Sequence, residues 1–232
     1  MISIMLGGFE LNKEKTIRIE RSRIPENLDM VNNFFAYTQQ YLAEELPISQ
    51  TKILGQDTEG QDFDRIEMKQ SIFQGCMFVD CTFKKASFID VFFKDCNFSN
   101  SNFSGSYFER CQFISCKCVG CNMSGTSVKH TQMQDVNWQY SYFDQAKLMN
   151  VVLNEVDFTE VSISEATLKN FAARGTRFIR NNFFKTMLSG ISFVANEFMA
   201  PIVSSSPVEL RGIKINAMQA VDLASIWGIV VE

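Results

Sequence analysis

An uncharged, mostly apolar residue returns at every fifth position from residue 63 to residue 203. Phe63, Met68, Phe73, Phe78, Phe83, Phe88, Phe93, Phe98, Phe103, Phe108 and Phe113 open the series, which runs on through Cys118, Met123, Val128, Met133, Trp138 and Phe143 to Phe193, Phe198 and Val203. None of its 29 positions carries a charged or amide side chain. Two residues earlier in each unit stand compact groups: Ser71, Cys76, Cys81, Ala86, Val91, Cys96, Ser101 and Ser106, and later Thr126, Thr131, Val136, Ser141, Ala146 and Val151. A period of five fits neither the 3.6 of a helix nor the 2 of an ordinary strand. It fits a solenoid in which each unit of five makes one side of a coil.

The alternation of small and large inward residues, as in Ser101-Asn102-Phe103-Ser104-Gly105 or Ala146-Lys147-Leu148, resembles the pentapeptide-repeat family. The resemblance implies an all-β solenoid, a right-handed quadrilateral β-helix with four repeats and about 20 residues per coil. The repeat would occupy residues 61–205, between a capping segment at 1–60 and a C-terminal helix and dimerisation segment at 206–232. About seven coils at the ~4.8 Å strand spacing give a rod on the order of 35 Å long. Residues one coil apart then stack, and Phe78, Phe98, Cys118, Trp138, Phe158, Phe178 and Phe198 become a core ladder. Ala173 leaves a gap in the large series, and Phe171 at the usually small position predicts a local exchange of volume.

The two ends read differently. Pro25-Glu26 opens a stretch in which Leu28, Val31, Phe35, Thr38 and Leu42 recur at spacings of three and four, predicting a helix from about 25 to 46 that caps the first coil. Ile48 and Ile53 already share the five-residue phase. Ile2 to Leu6 reads as a buried strand rather than a signal peptide, because no basic residue precedes it and Gly7-Gly8, Glu10 and Lys13 follow. At the other end Arg211-Gly212, then Gln219-Ala220, then Gly228-Ile229 resemble the end of the Qnr family of quinolone-resistance proteins. That resemblance implies a homodimer through Ile213, Met218, Val221, Leu223, Ile226, Trp227, Ile229 and Val231. So many apolar residues exceed what one small exposed terminus normally shows. A monomeric cap is the alternative.

Composition narrows the chemistry. The 22 Phe against 4 Pro serve the repeat, and a formal charge of -4 argues against direct binding to nucleic acid or anionic membrane. No apolar stretch approaches the ~18 residues of a membrane span, so a cytoplasmic protein is expected. The one histidine, His130, falls at an outward corner with no carboxylate expected beside it, and no nucleophile, phosphate loop or metal-spaced set appears. Neither enzyme activity nor a cofactor is expected. Cys111, Cys116, Cys118 and Cys121 are close enough in sequence to suggest a metal site, but register puts Cys76, Cys81, Cys96, Cys111, Cys116 and Cys121 at the small inward position and Cys118 at the large one. There thiols act as small hydrophobes.

Surface charge is polarised along the rod. Residues 131–165 hold Asp135, Asp144, Glu155, Asp157, Glu160 and Glu165 against Lys147, while 166–190 hold Lys169, Arg174, Arg177, Arg180 and Lys185 and no acid. One-coil spacing pairs Asp157 with Arg177, Glu160 with Arg180 and Glu165 with Lys185. What remains is a candidate acidic partner-binding face of Asp95, Asp135, Asp144 and Glu155, with Asp135 and Glu155 stacked. The Qnr resemblance implies binding to DNA gyrase or topoisomerase IV, in part as a DNA mimic. It departs from the Qnr pattern in having no loop that interrupts the phase. The alternative is a protein-interaction scaffold or secreted effector acting through the N-terminal segment.

Overall fold

The computed structural model describes residues 17–231; the strand expected at Ile2–Leu6 lies outside the described residues. The chain is an all-β parallel solenoid of about nine turns with about 20 residues per coil. Every ladder among the described residues is parallel, and those of the coil are offset by 20 residues: Glu67–Gln74 pairs with Ser87–Lys94, Ser127–Gln134 with Lys147–Asn154, and the latter with Thr167–Arg174. Coiling begins earlier than residue 61, because Ile48 already lies beside Met68 and Lys52 beside Ile72. It also extends past 205, where Lys214 closes a bridge to Ser192.

The corners explain the period. Asp95, Asp135 and Glu155 have φ of 53°, 54° and 55°, a left-handed conformation that turns the chain after each five-residue side. That conformation costs an L-residue roughly 1–2 kcal/mol. An inter-coil hydrogen bond at each corner offsets the cost, as from Asp135 N–H to the Asn154 carbonyl at 3.0 Å and from Glu155 N–H to the Arg174 carbonyl at 2.9 Å.

Inside, large side chains stack on their equivalents one coil away. Ring centroids are 4.8 Å apart for Phe83 and Phe103, 4.7 Å for Phe93 and Phe113, and 5.8 Å for Phe158 and Phe178. The small inward position has its own logic. A side chain there donates to a carbonyl 23 residues back: Ser106 Oγ to Phe83 at 2.6 Å, Ser141 Oγ to Cys118 at 2.8 Å, Cys121 Sγ to Phe98 at 2.9 Å. This is why Ser, Thr and Cys alternate with Ala and Val in that column. Where Cys118 replaces a ring, Trp138 stands directly above and makes an edge contact with Phe113 at 5.9 Å. Phe171 is buried beside Val151, while Ala173 pairs with Leu153, so the exchange of volume takes place.

The N-terminal cap is built differently from the predicted helix. Helix α1 spans Phe34–Ala43, not 25–46, and Asp29–Val31 is a strand parallel to Thr51–Ile53. An open coil edge leaves backbone groups unpaired, and this short strand covers it. Asn33 stops the helix from extending backwards, its Oδ1 accepting the Ala36 N–H at 3.0 Å. Phe34, rather than Phe35, faces the coil, with ring centroids 5.2 to 5.5 Å from Phe63, Phe73 and Phe78.

At the opposite end the buried Glu209 stands in for the missing coil. Its carboxylate accepts the Lys185 N–H at 2.9 Å and the Ser204 hydroxyl at 2.5 Å, and its carbonyl accepts the Leu188 N–H. Helix α2, Ala217–Ala224, follows with a capping box between Asn216 and Gln219. Gln219 Nε2 also donates to the carbonyls of Phe193 and Asn196, and Leu223 is buried, which docks the helix onto the last coil.

Candidate protein-interaction site

One corner of the rod carries Asp95, Ser115, Asp135 and Glu155 in consecutive coils, all exposed. Corner residues point outward because both neighbours within the unit turn the backbone around the core. Ser115 Oγ donates to Asp135 Oδ2 at 2.9 Å, which fixes the aspartate and leaves its charge in place. Glu155 leans over Gly175, where an added Cβ would stand 3.3 Å from the glutamate Cγ. A shallow groove of about 290 Å³ beside this corner is lined by Ser115, Lys117, Asp135, Asn137, Glu155 and Asp157. Among the described residues, no lysine or arginine lies within ion-pair distance of Asp95, Asp135 or Glu155.

The other acids between residues 131 and 165 are occupied. Asp157 meets Arg177 at 3.0 Å, Glu165 meets Lys185 at 3.1 Å, and Glu160 is joined to Arg180. Arg177 also reaches Glu197 at 3.2 Å. Exposed pairs of this kind contribute roughly 0–1 kcal/mol each. Asp144 stands apart from the other three candidate residues, on the adjoining side rather than at the corner. Its Oδ1 accepts the hydroxyls of Ser162 and Ser164 and the Ser164 N–H, at 2.5, 2.6 and 3.0 Å. It braces two coils, and the one-coil spacing to Ser164 was the signal.

His130 is not isolated. Its Nδ1 accepts the Glu20 N–H at 3.2 Å, and its Nε2 lies 3.7 Å from the Glu20 carboxylate and 3.2 Å from Asn150. Glu20 comes from the N-terminal segment, 110 residues away, so no local pattern could have placed it there. Nor did the ion-pair reading find Asp90 and Arg110, although they are one coil apart. The guanidinium grips both carboxylate oxygens at 2.7 and 2.9 Å, and the pair is largely buried. Burial works to raise the Asp90 pKa, but the Arg110 and Arg23 contacts outweigh it and hold the carboxyl below its ordinary value.

All seven cysteines are buried and unbridged. A hydrogen bond to Cys116, together with burial, pushes Cys96 up to about 12, and burial pushes Cys111 to about 12. Cys96 and Cys111 are therefore thiols, not thiolates, and poor nucleophiles or metal ligands. Among the described residues no group of three His, Cys, Asp or Glu is placed to hold a metal ion. No helix among them is long and apolar enough to cross a membrane.

The C-terminal end presents an apolar face. Met218, Val221, Trp227, Ile229, Val230 and Val231 are exposed, Met218 at 78% and Val230 at 83%. Leu223, read from sequence as part of an interface, is instead buried within its own chain, and Ile213 and Ile226 pack partly against the core. The helix needs Leu223 to close the last coil.

Residues 93–168 match the family model described as the pentapeptide repeat region. No curated protein matches the sequence. Among solved structures, trypsin-treated QnrB1, a plasmid-mediated fluoroquinolone resistance protein, is similar at 21% identity, covering 78% of this chain and 90% of that one, with a TM-score of 0.55. HetL, a pentapeptide repeat protein involved in heterocyst differentiation regulation in the cyanobacterium Nostoc sp. strain PCC 7120, is similar at 9% identity over 79% and 95% of the two chains, with a TM-score of 0.47. The matched region lies within the five-residue coil, whose geometry is that of a pentapeptide-repeat β-helix.

Proposed function

We propose that the chain is a non-enzymatic binding protein that engages a type II topoisomerase, DNA gyrase or topoisomerase IV, and protects it from a quinolone or peptide antibiotic. The observation that carries this reading is the corner of Asp95, Asp135 and Glu155. These carboxylates stand in one column on a rigid rod, Asp135 and Glu155 in adjacent coils, with no ion-pair partner among the described residues, and so suit a groove that is built for the phosphates of duplex DNA. The mimicry rests on this corner alone, because Asp144 and the ion-paired acids are spent on the coil itself. The exposed C-terminal face, Met218, Val221, Trp227, Ile229 and Val231, supports a homodimer that presents two such corners.

The alternative, an effector arm formed by the N-terminal segment, loses support because residues 20–31 are engaged with the coil rather than extended from it. The deciding experiment is a gyrase supercoiling assay with ciprofloxacin, with and without the protein. Protection at micromolar protein is expected. The absence of both protection and gyrase binding at that concentration sinks the reading.

A further inference from the structure

Residues 17–28 run along the outside of the stack, across successive coils, before the cap strand begins. The contacts step down one corner of the rod. Glu20 meets His130 and Arg110, Ser22 Oγ accepts from Gln112 at 3.1 Å, the Arg23 N–H donates to Asp90 at 3.0 Å, and the Arg23 carbonyl accepts from Gln70 at 3.0 Å. The segment alternates, with Ile17, Ile19, Ser22 and Ile24 half-buried while Arg18, Glu20, Arg21 and Arg23 are exposed. It belongs to no strand ladder, unlike Asp29–Val31 immediately after it.

Two of these contacts read main chain rather than side chain on the N–H side, and a third takes a main-chain carbonyl. Corner residues thus hold an extended backbone much as a sheet edge holds an added strand. We propose that the corner through Gln70, Asp90, Arg110 and His130 is a docking ridge for an extended peptide, occupied in cis by residues 17–24 acting as a latch. Glu20 is half-exposed and sits 3.7 to 4.0 Å from its cationic or protonatable partners, so salt screens what it contributes. The coil itself rests on backbone ladders and buried rings that salt leaves intact. Latch and coil therefore separate under conditions in which the coil stays folded. A tethered segment also competes at an effective concentration of roughly millimolar, so the same peptide added from outside binds poorly until the latch opens. This reading does not depend on a topoisomerase partner.

Trypsin reports the latch, because Arg18, Arg21 and Arg23 become substrates only when the segment leaves the corner. Glu20→Lys sets a cation against Arg110 while touching nothing inside the coil. The full-length variant is expected to be cut at these arginines at least tenfold faster than the wild type, with an unchanged far-UV spectrum and melting temperature. The wild type is expected to approach that rate in 1 M NaCl. A fluorescein-labelled peptide of residues 17–28 should bind the Glu20→Lys protein at least tenfold more tightly than the wild type, and Asp90→Asn, which removes the ridge's acceptor charge, should weaken that binding when added to Glu20→Lys. Equal cleavage rates in wild type and Glu20→Lys, or an opened corner that takes up no peptide, overturns the proposal.

Discussion

Trp138 and Cys118 form a pair in which each residue's size answers the other's, and exchanging them tests whether the core works as stacked volumes. The backbone register places them one above the other, with Cys118 N–H bonded to the Asn137 carbonyl at 2.7 Å. Trp138 is 1% exposed, and its indole N–H has no hydrogen-bond partner among the described residues. Replacing it by Phe removes about 40 Å³, which at about 24 cal/mol per Å³ costs about 1 kcal/mol. The same change removes an unpartnered buried donor, a gain of about 1–3 kcal/mol. Trp138→Phe is therefore expected to be near neutral or mildly stabilising. Cys118→Phe drives a ring into space the indole already uses and should destabilise by about 1–3 kcal/mol. In the double variant two phenyl rings can stack as Phe78 and Phe98 do at 5.5 Å, so most of that loss should vanish. Urea unfolding followed by far-UV circular dichroism gives the four free energies of the cycle. A favourable coupling of about 1–2 kcal/mol is expected. Additive single effects would refute the stacked-volume account.

Reversing the corner with Asp135→Lys and Glu155→Lys should abolish gyrase protection in the supercoiling assay and move stability by less than about 0.5 kcal/mol, since both side chains are exposed. Wild-type protein is expected to sediment as the proposed homodimer, and Ile229→Asp or Trp227→Arg to sediment as a monomer while leaving the coil's spectrum unchanged. Asp90 and Glu209 share an acid dependence. Burial acts to raise both carboxyls, but Arg110 and Arg23 on one, and Ser204 and main-chain N–H groups on the other, hold them below their ordinary values. Their stabilisation is complete above the ordinary carboxyl range near pH 4 and is lost as pH falls through the lower native values, so the melting temperature should drop there, and less so in Glu209→Gln. With every thiol buried, Ellman's reagent at pH 8 should label none of the cysteines until urea unfolds the coil.

The coil was legible because the large inward position stays uncharged through all 29 repeats, and because one-coil spacing turns a linear sequence into a list of neighbours. That rule identified Asp157 with Arg177, and it held Asp90 with Arg110 and Asp144 with Ser164 as well, where it had been applied only to the exposed charges near the middle of the rod. The N-terminal helix was misplaced for a different reason. Val31 and Phe35 fall at helical spacing, yet Asn32-Asn33 interrupts it, and the open coil edge recruits Asp29–Val31 as a strand. Nothing in the neighbourhood of Glu20 or His130 announces the other, since their contact is created only once the coil has brought the corner into place. Leu223 was read as surface because apolar residues of a terminal helix look alike until one side is committed to closing the end.

The left-handed corners have a consequence for how such a chain can change length. Because each side of five residues ends in the same turn, and each central coil of four sides returns to the same register, an insertion or deletion of any other size that stays in the wall of the coil would rotate every later side chain out of phase. Only a whole coil can be gained or lost without disturbing the rest, about 4.8 Å of rod at a time. The separation between the carboxylate corner and the C-terminal face is thus a quantised distance, which duplication or loss of a single coil could reset in one step.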